Sequence, residues 1–229
     1  MMMRSLAGLA LCVSLLSLSA IATAQVDFQV PMGSEPVLDG TLSDGEWDDA
    51  ATIELGLDAM LFMKCVDELL FLGIRGTTMG IPSPLILRNE DVQVLHASAA
   101  LGTGIYSLQE DTWTQTQAFD WQCRSRGFSS SAVAAREAFF ESERWLGTIG
   151  FLGSRTHFEY KIEVEGATLL MLFLYMEATD PLSILSWPAT PQGVEPYLPL
   201  ITGPIPEQIE IDFGMWANLS LDLDEATAP

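Results

Sequence analysis

An all-β, antiparallel sandwich with one short inserted helix is the fold class this sequence predicts. Three observations predict it. Phe158 to Glu165 alternates strictly, with Phe158, Tyr160, Ile162 and Val164 apolar and Glu159, Lys161, Glu163 and Glu165 charged. That is the period of a strand with one face in a core and the other in water. Several other short apolar runs are separated by turn residues, and only Ala132 to Trp145 reads as a helix.

The chain opens on what reads as a leader. Arg4 supplies a positive start, Leu6 to Ile21 is apolar, and Ala22-Thr23-Ala24 is a small-x-small cleavage site before Gln25. The expectation is a cleaved signal peptide over residues 1–24 and a single domain over 25–229, secreted or periplasmic. The longest later apolar run, Leu169 to Met176, is far short of the roughly 20 residues of a spanning helix.

In Val37 to Trp47, Asp39-Gly40 permits the positive φ of a tight turn. Ser43 can cap a brief helical turn that carries Asp44 and Glu46, and Trp47 then plugs one end of the core. Ala59 to Cys65 and Leu69 to Arg75 form a hairpin about Val66-Asp67-Glu68. Asp91 to Ser98 and Gly104 to Gln109 read as strands, and Thr112 to Gln117 continues the sheet. Ser131 is the expected cap of the helix, with Gly147 just past its end. Thr168 to Met176 is apolar on both faces and so central. Ile209 to Phe213 alternates again, and Ala217 to Leu221 closes the sheet. Seven of the twelve prolines lie between Pro181 and Pro206, a stiffened loop bearing Trp187 and Tyr197 that suits a binding rim.

Composition narrows the partners. Lys and Arg number 10 against 31 Asp and Glu, a formal charge of −21, which repels nucleic acid and anionic membrane surfaces. Solubility is the simplest use of that charge; attraction of cations such as Ca²⁺ is the sharper one. Beyond the leader, Cys65 and Cys123 either bridge, as an oxidising compartment allows, or stay separate buried thiols. No nucleophile motif accompanies His96 or His157, which read as structural histidines. Gln208, Glu210 and Asp212 alternate like the carboxylates of sandwich-fold glycoside hydrolases, but Gln208 cannot act as nucleophile or acid. Gly102-Thr103-Gly104 lacks the rest of a phosphate-binding fingerprint. The expectation is a non-catalytic chain.

Two blocks carry a family resemblance. Val37-Leu38-Asp39-Gly40-Thr41-Leu42-Ser43-Asp44-Gly45-Glu46-Trp47, followed by the Asp67-Glu68 turn and its apolar strand, resembles the opening of the family 9 carbohydrate-binding modules and their DOMON-like relatives. The resemblance implies a jelly-roll-type β-sandwich, structural calcium, and a sugar clasp built from Trp rings and acidic or amide side chains. Along the family's next strand this chain has Leu87 where an aromatic stands and Gln93 where a glutamate stands, so part of the clasp is missing. Trp113 and Trp121, flanked by Gln115, Gln117, Asp120 and Gln122, and Trp187 in the proline loop are the candidate ligand contacts beside Gln93. The expected partner is an extracellular glycan. A structural or adhesive envelope module that binds proteins, using the acidic surface and the insertion from Gly127 to Leu152, is the alternative. A sandwich holding haem or another redox cofactor on Met or His is a second.

Overall fold

The computed structural model describes residues 25–77, 80–125, 127–148, 157–164, 168–177, 181–203 and 205–222. Residues 1–24, expected to form a leader, and Glu165 of the alternating strand lie outside the described residues.

Two sheets form the sandwich. The larger contains β1 (Val26–Val30), β5 (Gly80–Arg88), β6 (Asp91–Ala97), β7 (Leu101–Gln109), β8 (Thr112–Gln117), β11 (Thr168–Glu177), β12 (Ser183–Trp187), β13 (Gln208–Ile209) and β14 (Ala217–Leu221). Its order is β1-β14-β11-β5-β6-β7-β8-β13, with β12 also on β11. The smaller runs β2-β3-β4-β10-β9, from β2 (Ala51–Gly56), β3 (Ala59–Val66), β4 (Leu69–Arg75), β10 (His157–Glu163) and β9 (Trp145–Gly147). No described helix is long and apolar enough to cross a membrane.

The expected all-antiparallel pairing fails at one edge. β1 lies parallel to β14, a direction left open because no hairpin joins the first and last strands. Elsewhere two-residue turns set the register. Leu57 and Asp58, Asn89 and Glu90, and Glu110 and Asp111 all have positive φ, the conformation whose twist matches the flanking strands.

Alternation decides what is buried. On β3, β4 and β10 one set of side chains faces the larger sheet: Leu61 and Met63, Leu72 and Ile74, and Phe158, Tyr160 and Ile162, with Val164 just beyond. Met171, Phe173 and Tyr175 of β11 meet them from the other side. The opposite face of β11, with Leu172 and Leu174, belongs to a second core, so β11 is central as its sequence predicts.

The proline segment covers that second core. After β12 come a cis Trp187–Pro188 bond, a 3-10 turn over Pro191–Tyr197 and a one-turn helix, α2 (Pro199–Thr202). Val194, Tyr197, Leu200 and Ile201 are buried beneath it on Leu85, Val94 and Trp216. The proline segment is thus a cover over this core, and its outer side, with Pro188, Ala189, Thr190 and Gly193, lines an open cleft of about 350 Å³. The strand expected over Ile209 to Phe213 stops at Ile209, because Asp212 caps a 3-10 turn at Phe213–Met215 that swings Trp216 into this core.

Two further expectations shift. The longer helix, α1, spans Ser130–Glu143 and is capped by Ser129 rather than Ser131. It ends when Arg144 turns left-handed at φ 63°. Trp145 thus leaves the helix and enters the core in β9, and Gly147 is a strand residue rather than a helix stop. Trp145 Nε1 donates to Thr103 Oγ1 at 2.8 Å, which satisfies the buried indole. β5 was concealed by Pro82 and Pro84. Both fall on the stretch of β5 that β6 leaves unpaired, since the β5–β6 ladder begins at Leu85, and proline is tolerated where no ladder bond is needed.

Candidate functional site

The Asp39-Gly40 and Trp47 segment is a strap over the outer face of the smaller sheet. Trp47 is buried there against Gly73 rather than at an end of the core. A Cβ on Gly73 would lie 3.0 Å from Trp47 Cε2 and 3.1 Å from Leu42 Cδ2, so glycine is what lets the indole lie on β4. Lys64, fully buried, sits 5.0 Å from the Trp47 ring centroid and donates to Glu46 O at 2.6 Å and Asp49 Oδ1 at 2.9 Å. Burial works to raise the Asp49 carboxyl, but Lys64 and two hydrogen bonds from Ser34 outweigh it and hold the group at about 2. Leu42 N donates to His157 Nδ1 at 3.2 Å.

Beneath the strap lies Glu159. The alternating pattern assigns it to water, yet it is fully buried, because the strap covers the face on which it stands. Gly40, at φ 87°, donates its N–H to Glu159 Oε2 at 2.7 Å. Glu159 Oε1 and Trp47 Nε1 have no partner among the described residues. Burial pushes the Glu159 carboxyl up to about 8, the charges of Glu46 and Asp39 push the same way, and the Gly40 N–H opposes them. Glu163 is half-buried and pairs with Arg144.

The candidate ligand residues do not share one groove. Trp113 is half-buried on the second core, edge-on to Phe213 at 5.7 Å. Trp187 is half-buried against the first core, edge-on to Phe28 at 5.1 Å. Gln93 stands on the β6 face whose neighbours Leu95 and Ala97 join the inter-sheet core, and its Oε1 is buried without a partner among the described residues. Trp121 differs: 44% of its surface is exposed.

Trp121 walls an open cleft of about 500 Å³ with Ser98, Ala99, Ala100 and Arg124. Two elements build it. One is the turn between β6 and β7. The other is the segment after β8, which folds back along β7 and is clipped there by Leu101 N donating to Cys123 O at 2.9 Å and Cys123 N to Leu101 O at 3.2 Å. Gly102 and Gly104 make the close approach possible. A Cβ on Gly102 would meet Asp120 O at 2.8 Å, and one on Gly104 would meet Phe119 at 2.5 Å. The Gly-Thr-Gly triplet, which carries no phosphate signature, is thus the sequence signal for this site. Thr103 N donates to Gln122 Oε1 at 3.1 Å and fixes the segment further.

His96 supports the platform. Its ring is edge-on to Trp121 at 5.3 Å and to Phe119 at 5.8 Å, and its Nε2 shares a hydrogen bond with Ser98 Oγ at 3.1 Å. Burial lowers its pKa, so the ring is neutral at physiological pH. The cleft therefore offers an indole face, a hydroxyl and a guanidinium. Such a set can stack on a ligand ring and hydrogen-bond its polar groups.

Cys65 and Cys123 are free, buried thiols, so the candidate bridge is not made. They face different carbonyls, Cys65 Sγ that of Pro31 at 3.4 Å and Cys123 Sγ that of Ala135 at 4.0 Å. No group of three His, Cys, Asp or Glu among the described residues is arranged to hold a metal ion. Fold and cleft together define a two-sheet β-sandwich with a strapped outer face and a surface aromatic cleft. No family model matches the chain, and neither a curated protein nor a solved structure does.

Proposed function

We propose that this chain is an exported, non-catalytic binding module that holds a glycan in the Trp121 cleft. The observation that carries the reading is an indole left 44% exposed in a concavity while its ring is held in place by His96. A sugar's apolar C–H face stacks on such a ring, and its hydroxyls require polar groups at the rim. Ser98 and Arg124 supply those. The resemblance of the strap and first hairpin to the family 9 carbohydrate-binding modules points to the same ligand class. Structural calcium, which that resemblance implies, belongs to the proposal and gains no support from a described ligand group.

The test is a glycan array probed with the mature protein and with Trp121→Ala, followed by titration of intrinsic fluorescence. Binding by the parent and its loss in the variant is the expected result. Silence of the parent across the array removes the reading.

A second reading has its own observation. Phe128, 73% exposed, precedes α1, and Val133 on that helix is also exposed. Apolar side chains presented on an insertion suit a protein partner. Capture of a protein from the native secretome that survives Trp121→Ala but not Phe128→Ser would favour it over the glycan.

A further inference from the structure

Among the described residues that line the cleft, Arg124 is the one that carries a charge, and it stands apart from the other described cations. Lys64 pairs with Asp49, Lys161 with Glu35 and Arg144 with Glu163. Arg88 donates to the carbonyls of Glu163 and Glu143, and Arg136 to that of Gly127. Arg75 lies over the Phe62 ring at 5.4 Å. Arg124 alone has no hydrogen bond, ion pair or ring contact among the described residues. In a chain with 31 acidic residues and 10 basic ones, this unengaged guanidinium lies beside the exposed indole.

We infer that the cleft selects a sugar carrying a single carboxylate, a uronic acid residue. This inference rests on the glycan reading above. The pyranose face lies on Trp121, and the carboxylate takes a charge-assisted, two-pronged contact from Arg124, whose planar fork matches it. Ser98 Oγ, already shared with the neutral His96, accepts from a ring hydroxyl.

The rest of the molecule restricts the ligand to one charge. The formal charge of −21 opposes any anion at long range. Salt screens that field over about 8 Å at physiological ionic strength, whereas a carboxylate in contact with Arg124 is not screened from it. A single carboxylate therefore gains locally more than it loses. A polysulfated chain extends its further charges across the acidic surface, Asp120 first, and loses on each.

Isothermal titration against the methyl glycosides of glucuronic, galacturonic and mannuronic acid, each beside its neutral parent sugar, tests the inference. At least one uronate should bind about tenfold more tightly than its parent, as expected for one charge-assisted contact at a partly exposed site. Arg124→Gln should lower that uronate's affinity by a similar factor, and heparin should not compete. If acid and neutral sugars bind the parent protein alike, the inference fails and the glycan reading stands. If no sugar binds, both fail. Heparin competing more strongly than the uronate overturns the single-charge selection.

Discussion

Gly40 donates its backbone N–H to Oε2 of Glu159 at 2.7 Å, across 119 positions of the chain. The contact ties the strap to a buried carboxyl on β10 and makes the strap's seating depend on a proton. The folded protein holds that proton to about pH 8, where an exposed glutamate releases it at 4.5. Between those values unfolding releases a proton, so stability falls as pH rises, by at most about 1.4 kcal/mol per unit. Below 4.5 the contribution is complete; above 8 it is gone. Glu159→Gln keeps an acceptor for Gly40 and removes the titration. Urea unfolding from pH 4 to 9 should show the parent losing stability relative to the variant across that window. Parallel curves would refute the assignment.

The strap also depends on the absence of a side chain at Gly73. An alanine there would press on Trp47 and Leu42 at 3.0 to 3.1 Å. Gly73→Ala should cost about 2 kcal/mol, the scale of overpacking a rigid contact. In a Trp47→Ala background the same change should cost clearly less, about 0.5 kcal/mol, because the ring has gone and only the movable tip of Leu42 remains in the way. A double-mutant cycle by denaturant unfolding reads the coupling directly. Equal costs in the two backgrounds would mean that Trp47 does not bear on β4.

How far these features could be read in advance depends on what each requires. The inward residues of β10 were legible because every second position must be apolar wherever one face is buried. Glu159 was not, since its burial is imposed by a segment 119 residues earlier and no local pattern records that. Pro82 and Pro84 hid β5 for a similar reason: whether proline is tolerated depends on which stretch of strand its neighbour covers. Trp145 continued the apolar pattern of α1, and only its Nε1 contact with Thr103 shows why the chain leaves the helix there. At the cleft, Trp121 could be named from sequence among several tryptophans. Its exposure could not, because that depends on Gly102 and Gly104 letting the following segment lie on β7.

The turn between β2 and β3 is held in a costly conformation. Leu57 and Asp58 adopt φ of 51° and 61°, where a side chain with a Cβ is strained. Leu57 is exposed, so replacing it removes no core contact. Leu57→Asn with Asp58→Gly supplies the pair that this turn favours. The gain should be about 1 kcal/mol after the extra freedom of glycine in the unfolded chain is set against it. A higher urea midpoint with an unchanged slope is the expected outcome. A midpoint at or below the parent's would show that the flanking strands already absorb the strain.

The two thiols give a direct check on the sandwich. Cys65 is buried on the inter-sheet face of β3, with Sγ against the carbonyls of Val30 and Pro31. Burial raises its pKa and so lowers the fraction of reactive thiolate. Cys123 is buried where the cleft segment meets α1. A thiol reagent added to the native protein at pH 8 should therefore react slowly at both positions. In denaturant both should react at once, whether or not a reductant was added earlier. A preparation in which Cys65 and Cys123 show no reactive thiol when unfolded, and both gain one on reduction, would contain the Cys65–Cys123 bridge after all. Residues engaged with separate carbonyls in this structure would then have to move together, and both β3 and the cleft segment would need rebuilding.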